Sequence, residues 1–592
     1  MGRKRWGFLV VLVMVLLVSL ADASKLRIPS LRYFSFPASL LSHEAGHDHV
    51  VRVYEKNALS PSPPDEMAAM KIGGCDGECG CGGPGGCGYN LLPVKLVVMV
   101  GGGLAPTGGK EFDAKITPIV ILSSIMVATG GLMFGYDVGV SGGVTAMPDF
   151  LKKFFPVVYN RIQEKGLDSN YCKYNNEALQ LFTSSLYLSA LLATFLASHT
   201  TRNSGRKRTM LMAGIFFMIG VVFNATAINL SMLIFGRLAL GCGVGFANQL
   251  NVTIGIFSAN MVNFGTAKIK GGWGWRLSLG LAGIPAILLT IGSVLVSDTP
   301  NSLIERGNLE EGKRVLRKIR GIENVELEFQ ELVEVSRVAR EVKHPFRNLV
   351  LRRNRPQLVV AVALQIFQQF TGINAIMFYA PILFDSLGFG GNASLYSAAI
   401  TGGVNLLSTL AAIKVVDKAG RRILLLKAGV HMFFAQVIIG TVLGIKFKDN
   451  SNNLGIAFSI LVVIMICTFV STFAWSWGPL GWLIPSETFP LGMRSAGLSV
   501  TVSVNMLFTF IIGQSFLSML CTLKFGIFLF FSVWVVVMSV FTYYLIPETK
   551  NVAIEKMTER VWKQHKVWRK YIVQEDGSEM QDMWDESGVT QV

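Results

Sequence analysis

The chain has 592 residues, 51% hydrophobic and 16% charged, with a mean hydropathy of +0.47. That balance excludes a soluble multidomain protein and describes a polytopic membrane protein. A net charge of +16 is accounted for by Lys- and Arg-rich cytoplasmic loops, so no nucleic-acid partner is expected.

Residues 1–24 open MGRKR and continue GFLVVLVMVLLVSLADA, the pattern of a secretory signal or signal anchor. Residues 25–98 differ: a Ser/Pro-rich stretch precedes GGCDGECGCGGPGGCGYN, Gly73–Asn90. His43-Glu44-Ala45-Gly46-His47 matches a zinc-protease pattern, but Gly46 interrupts the helix that would set both imidazoles on one face. Four of the eight cysteines crowd into Cys75–Cys87 at a spacing unlike a standard zinc site. We therefore expect neither metal nor cofactor. Residues 1–98 read as foreign to the rest, an upstream reading frame joined to a start near Met99.

Apolar segments of span length follow near 116–140, 179–198, 209–229, 231–263 and 276–296. After a charged stretch they resume near 358–385, 395–416, 423–445, 456–483, 496–520 and 525–546. The layout is a first half, 99–297, a loop, 298–357, a second half, 358–550, and a tail, 551–592. Arg306, Lys313, Arg314, Arg317, Lys318, Arg320, Arg352, Arg353 and Arg355 place the loop in the cytoplasm. The basic turns Arg202–Arg208 and Lys418–Arg422 lie on the same side, each after the second span of its half, as a parallel two-fold repeat requires. The core's termini are then cytoplasmic too. One defect stands out: as a single span, 231–263 gives the wrong parity, yet 33 residues cannot hold two ~20-residue helices and a loop. Either two very short spans meet there or a piece of chain is missing near Gln249–Leu250. We expect the missing piece.

Two charges lie within spans, Asp137 and Arg237, and an intramembrane charge marks function by default. GxGxG at Gly241–Gly245 sits on an apolar helix and reads as close helix packing. Gln365–Phe384, QIFQQFTGINAIMFYAPILF, is apolar yet carries Gln365, Gln368, Gln369, Thr371 and Asn374, and is broken by Gly372 and Pro381. Unpaired amides cost several kcal/mol in hydrocarbon, so these face the bundle interior or a water-filled cavity. They line a site for a polyhydroxylated solute or bond neighbouring helices; the stretch alone leaves both open.

Several strings together closely resemble the plant monosaccharide–proton symporters, in the sugar-porter branch of the major facilitator superfamily. They are LMFGYDVGVSGGV (Leu132–Val144), GRLALGCGVGFANQ (Gly236–Gln249), FQQFTGIN (Phe367–Asn374), VVDKAGRR (Val415–Arg422), WGPLGWLIPSETFP (Trp477–Pro490) and PETKN (Pro547–Asn551). The resemblance implies an all-α polytopic fold of six plus six transmembrane helices. It implies a proton-coupled importer of glucose-like hexoses in the plasma membrane, not an enzyme, whose partners are a monosaccharide, a proton and the bilayer. By position, Gln368, Gln369 and Asn374 of the seventh helix and Asn405 of the eighth would hydrogen-bond the sugar. Trp482 would cover its apolar face. Gln249 stands either at the end of the fourth helix or as a sugar ligand of the fifth, because about twenty family residues between those positions are absent.

In the same way Asp137 and Arg237 would be the proton-coupling pair, and Cys172 and Cys521 a disulfide tying an external lid, around 150–178, to the second half. Arg206, Asp417, Arg421 and Arg422 match cytoplasmic gate motifs, and Glu487 with Arg494 makes the second-half gate. Thr201 replaces an acid common in the first copy. A uniporter fits poorly with Asp137. A non-transporting sensor and a defective variant lacking part of helices 4/5 are the alternatives. Asn392-Ala-Ser394 is a glycosylation sequon on an external loop.

Overall fold

The computed structural model describes residues 117–164, 170–246, 252–269, 271–341, 344–386, 391–448, 456–550, 552 and 556–572. The expectations for residues 1–98 and for Gln249 lie outside these, as do the side chains of Asn392 and Asp417. The chain divides into two units, 1–26 with 92–592 and 27–91, and every described residue belongs to the first.

The first half contains α1 (Pro118–Val144), α2 (Glu177–Ser204), α3 (Arg206–Ala225), α4 (Leu230–Phe246), α5 (Val252–Thr266) and α6, in two pieces, Trp273–Gly280 and Gly283–Leu295. The second contains α7, broken into Arg355–Phe370 and Ile373–Ser386, then α8 (Gly391–Ala419) and α9 (Arg421–Lys448). It closes with α10, broken into Ile456–Trp475 and Trp477–Thr488, α11 (Arg494–Leu523) and α12 (Gly526–Leu545). Ten helical stretches are long and apolar enough to cross a membrane among the described residues; α4 and α5 fall short. The segment 231–263 is therefore two short helices, not one span. That corrects the parity without supplying the residues expected to be missing.

The packing repeats between halves. α1 packs on α5 as α7 does on α11, α2 on α4 as α8 on α10, and α3 on α6 as α9 on α12. Outward faces carry exposed Leu192, Leu196, Val222, Val294, Phe434 and Val533, an apolar belt suited to lipid. Polar side chains turn inward: Gln180, Asn224, Arg237, Gln365, Gln436 and Ser471 are all buried.

Between α1 and α2, where a lid is expected, lie the short helices Pro148–Phe154 and Pro156–Gln163, which define one face of the bundle. Here α2 and α11 are zipped together. Ser184 donates to Gln514 Oε1 at 2.7 Å, and Gln180 Nε2 to Ser518 Oγ at 3.1 Å. Tyr187 of α2 stacks on Phe378 of α7 with centroids 5.2 Å apart. The opposite, basic face carries the turns at Gly205 and Gly420 and the central loop with helices Leu309–Arg320 and Glu326–Glu341. Thr117 anchors that loop to α1 by donating to the Ile319 carbonyl at 3.0 Å. The tail returns to this face, where Trp568 Nε1 donates to Leu545 O at 2.8 Å at the end of α12.

Candidate functional site: an amide cluster and a buried ion pair

Helix α7 breaks because Gly372 takes φ +85°, a conformation side chains resist. The groups freed by the break find partners, as hydrocarbon demands. Gln436 Nε2 of α9 donates to Thr371 O at 2.8 Å, and Ile373 N donates to Thr371 Oγ1 at 3.2 Å. A Cβ at Gly372 would meet the Phe531 ring at 2.8 Å, so the break is held by packing as well.

The amides around this break, with Asn405 of α8, fall into two sets. Gln365 Nε2 donates to Gly481 O at 2.6 Å, and Gln368 Nε2 to Trp477 O at 3.0 Å and Gly478 O at 3.2 Å, all on the broken α10. Asn505 of α11 then donates to Gln365 Oε1 at 2.7 Å and to Gln368 Oε1 at 2.8 Å. Both glutamines are thereby oriented. The second set is Gln369, Asn374 and Asn405. Asn374 donates to Gln369 Oε1, and Asn405 Nδ2 has only the Met377 sulfur, at 3.9 Å. Amide donors and acceptors of this set stay available to a hydroxylated ligand. Trp482 is half-buried on α10 beside this cluster's helix.

Asn505 was not singled out in the sequence. One amide in SVNMLFTF gives no stripe; only α11 packing on α7 shows its place. In the first half α1 and α4 bring Asp137 and Arg237 together at 2.6 Å, with the side chains 3% and 0% exposed. Arg237 also donates to Ser141 Oγ at 2.8 Å and lies over the Phe182 ring at 4.1 Å. The guanidinium is thus held on three sides. Burying such a pair is costly, and separating it leaves a lone charge, a loss of about 3–5 kcal/mol.

At the lid face Cys172 and Cys521 are bonded, with Cα atoms 4.5 Å apart. Tyr174 beside the bond donates to Asp385 Oδ2 at 3.2 Å, at the outer end of α7. Burial pushes the Tyr174 hydroxyl above its usual range, so it stays a donor. At the basic face Glu487 is taken by Arg421 at 2.8 Å and by Thr549 at 2.7 Å. Arg494, expected with Glu487 at the second-half gate, starts α11 just beyond the turn Leu491–Met493, while Arg421 reaches the carboxylate from α9. Arg422 N donates to Glu548 at 3.1 Å and its guanidinium to the Tyr543 carbonyl. Arg206 N donates to Asp298 at 3.2 Å.

The sequence matches the family model for "Sugar (and other) transporter" over residues 123–250 and 246–561. Sugar transport protein 13 of Arabidopsis thaliana is 68% identical over 499 residues, which cover 80% of this chain and 95% of that protein. Sugar transport protein MST4 of Oryza sativa subsp. japonica is 67% identical over 497 residues, covering 80% and 96%. Among solved structures, the proton:xylose symporter XylE bound to 6-bromo-6-deoxy-D-glucose matches with a TM-score of 0.62 at 24% identity, covering 74% of this chain and 98% of that one. That likeness is one of fold. Two further features bear on the short junction, the first on its place and the second on the number of residues. The two family matches meet at 246–250, and 80% of 592 residues is about 474 against 499 aligned positions, leaving about 25 with no residue here. The fold, the buried ion pair and these matches agree: the chain is an integral membrane protein that belongs to the sugar (and other) transporter family.

Proposed function

We propose that this protein is a proton-coupled hexose symporter that imports glucose-like sugars across the plasma membrane. The observation that carries the reading is the fully buried Asp137–Arg237 pair, set in the half opposite the amide cluster. A carboxylate within the membrane gives a proton a resting place, and its pairing with Arg237 gives two states to switch between. With Asp137 ionised the pair ties α1 to α4. Proton uptake weakens that tie and frees α1 to close with α7 around a sugar.

The sugar would meet Gln369, Asn374 and Asn405 on its hydroxyl edge, Trp482 on its C–H face, and Gln368 as a residue held in place by Asn505. Neutral amides bind without clamping, which suits a carrier that must release its cargo. The basic face is cytoplasmic by its Lys and Arg content, and the lid face is external, where a disulfide persists.

A second reading is favoured by the five-residue junction between Phe246 and Val252: a variant that folds and binds sugar but transports poorly. Radiolabelled glucose uptake in hexose-transport-deficient yeast separates the two. Symport predicts accumulation that a protonophore collapses. Surface expression without uptake would favour the impaired variant.

A further inference from the structure

Where the central loop meets α7 the chain reads HPFRNLVLRRNR, His344–Arg355. Residues 342–384 hold five Lys and Arg and no acid. The short helix Pro345–Val350 in this stretch is fastened by one face. Leu349 is buried in a cluster with Ala361 of α7, Phe489 after α10 and Ala496 of α11. Asn354 Nδ2 donates to Asn348 O at 2.9 Å and closes the chain behind the helix. Ala361 lies in the second turn of α7 and Ala496 in the first of α11. The helix therefore sits at the depth where both spans enter the bilayer.

Its remaining apolar side chains are exposed: Phe346 by 45%, Val350 by 59%, and Leu351 just beyond by 50%. Phe346 and Val350, four residues apart, share one side. Arginines border them. Arg347, Arg353 and Arg355 are exposed, and none meets a carboxylate among the described residues. Arg355 Nε donates to Val350 O at 3.1 Å, which holds it beside the apolar side chains. A surface cleft bordered by His344, Pro345, Phe346 and Arg347 opens at the other end. Elsewhere on the basic face the cations are engaged: Arg421 on Glu487 at 2.8 Å, Arg306 on Asp298, and Arg320 on Glu328. Large apolar side chains set among uncancelled cations fit poorly against water. They fit a bilayer edge, where the acyl boundary receives the first and lipid phosphates the second.

We propose that His344–Arg355 docks an anionic phospholipid of the cytoplasmic leaflet. Phe346, Val350 and Leu351 lie at the acyl boundary, and Arg347, Arg353 and Arg355 hold the phosphate-bearing headgroup. Guanidinium suits the task because its planar fork pairs with two phosphate oxygens at once. The docked lipid tethers the head of α7, about three turns before Gln365. The inference rests on the cytoplasmic placement of the basic face and does not need proton coupling.

Native mass spectrometry of the purified full chain in detergent tests it, with dioleoylphosphatidylglycerol and dioleoylphosphatidylcholine as the titrated lipids. The unaltered protein should hold the anionic lipid at least about tenfold more tightly. An arginine at an anionic surface contributes about 1 kcal/mol, or about fivefold. Arg347→Gln/Arg353→Gln/Arg355→Gln should therefore weaken the tightest site by about tenfold or more. Phe346→Ser should weaken it by about threefold. Arg314→Gln/Arg317→Gln/Lys318→Gln removes the same charge from the exposed side of helix Leu309–Arg320 and should leave the site within about twofold. Thermal unfolding checks each variant. Should the first triple variant not fold, Arg347→Gln alone, which breaks no ion pair, should still cost about fivefold. Equal affinity for the two lipids, or equal losses in the two triple variants, would overturn the proposal. Failed sugar uptake would sink the symport reading and leave this result standing.

Discussion

Replacing Asn505 by Leu tests the amide network most sharply, because Leu keeps the branched shape, with bulkier methyl ends, and removes the hydrogen bonds. Asn505 Nδ2 serves two acceptors, Gln365 Oε1 at 2.7 Å and Gln368 Oε1 at 2.8 Å, and all three residues are buried. Neither glutamine can turn to compensate, since their own donors are fixed on the Gly481, Trp477 and Gly478 carbonyls. Each stranded acceptor costs about 1–3 kcal/mol. Water entering from the sugar side would lower that cost, so we expect a total of about 2 kcal/mol rather than the sum of the upper limits. Gln368 would also lose its fixed orientation, weakening hexose binding about tenfold, or about 1.4 kcal/mol. Thermal unfolding in detergent and equilibrium binding of labelled glucose measure the two effects. Unchanged stability together with unchanged affinity would refute the network.

Three further outcomes follow from local geometry. Arg237→Leu strands Asp137 in a dry site and should cost about 3–5 kcal/mol unless the carboxyl takes up a proton; measured by thermal unfolding, the variant should therefore recover stability as the pH falls. Gly372→Ala forces a side chain into φ +85° and against Phe531, so it should lose about 1–3 kcal/mol and much of its uptake. Burial, with the Arg422 guanidinium adding to it, holds His565 below the ordinary histidine range. The folded tail then prefers the neutral ring, so its packing is complete above pH ~6.5 and is lost as the pH falls below that value. Limited proteolysis of the tail should accelerate on acidification, and His565→Gln should flatten the dependence.

Much of the fold was legible because membrane spans announce themselves by length and apolarity, and basic turns fix their direction. At the junction near Gln249–Leu250, span parity and the resemblance gave the place but not the helix ends. GFANQLNVTIG contains no charge and no proline, so nothing local marks where α4 ends and α5 begins. Only the packing of α4 on α2 and α3, and of α5 on α1, separates them. At the site, the stripe Gln365, Gln368 and Gln369 stood out because three amides recur within one helix. Asn505 did not, being one polar residue on a long apolar helix. The partners of Glu487 were likewise hidden. The resemblance set Glu487 beside Arg494 at a gate, and the structure adds Arg421, 66 residues away, through the packing of α9 against α10. Of the acid caps, Glu548 was visible only as a residue of PETKN and Asp298 lay in no singled-out motif; their matched roles required the two-fold repeat.

The central claim is that sugar and proton move together through the Asp137–Arg237 pair. Its most direct measurement is the external pH of a weakly buffered suspension of proteoliposomes holding the purified full chain, recorded as glucose is added. The account predicts alkalinisation that tracks sugar entry and vanishes in Asp137→Asn, with glucose binding retained. Sugar entry with no proton movement, or proton movement unchanged in Asp137→Asn, would contradict it.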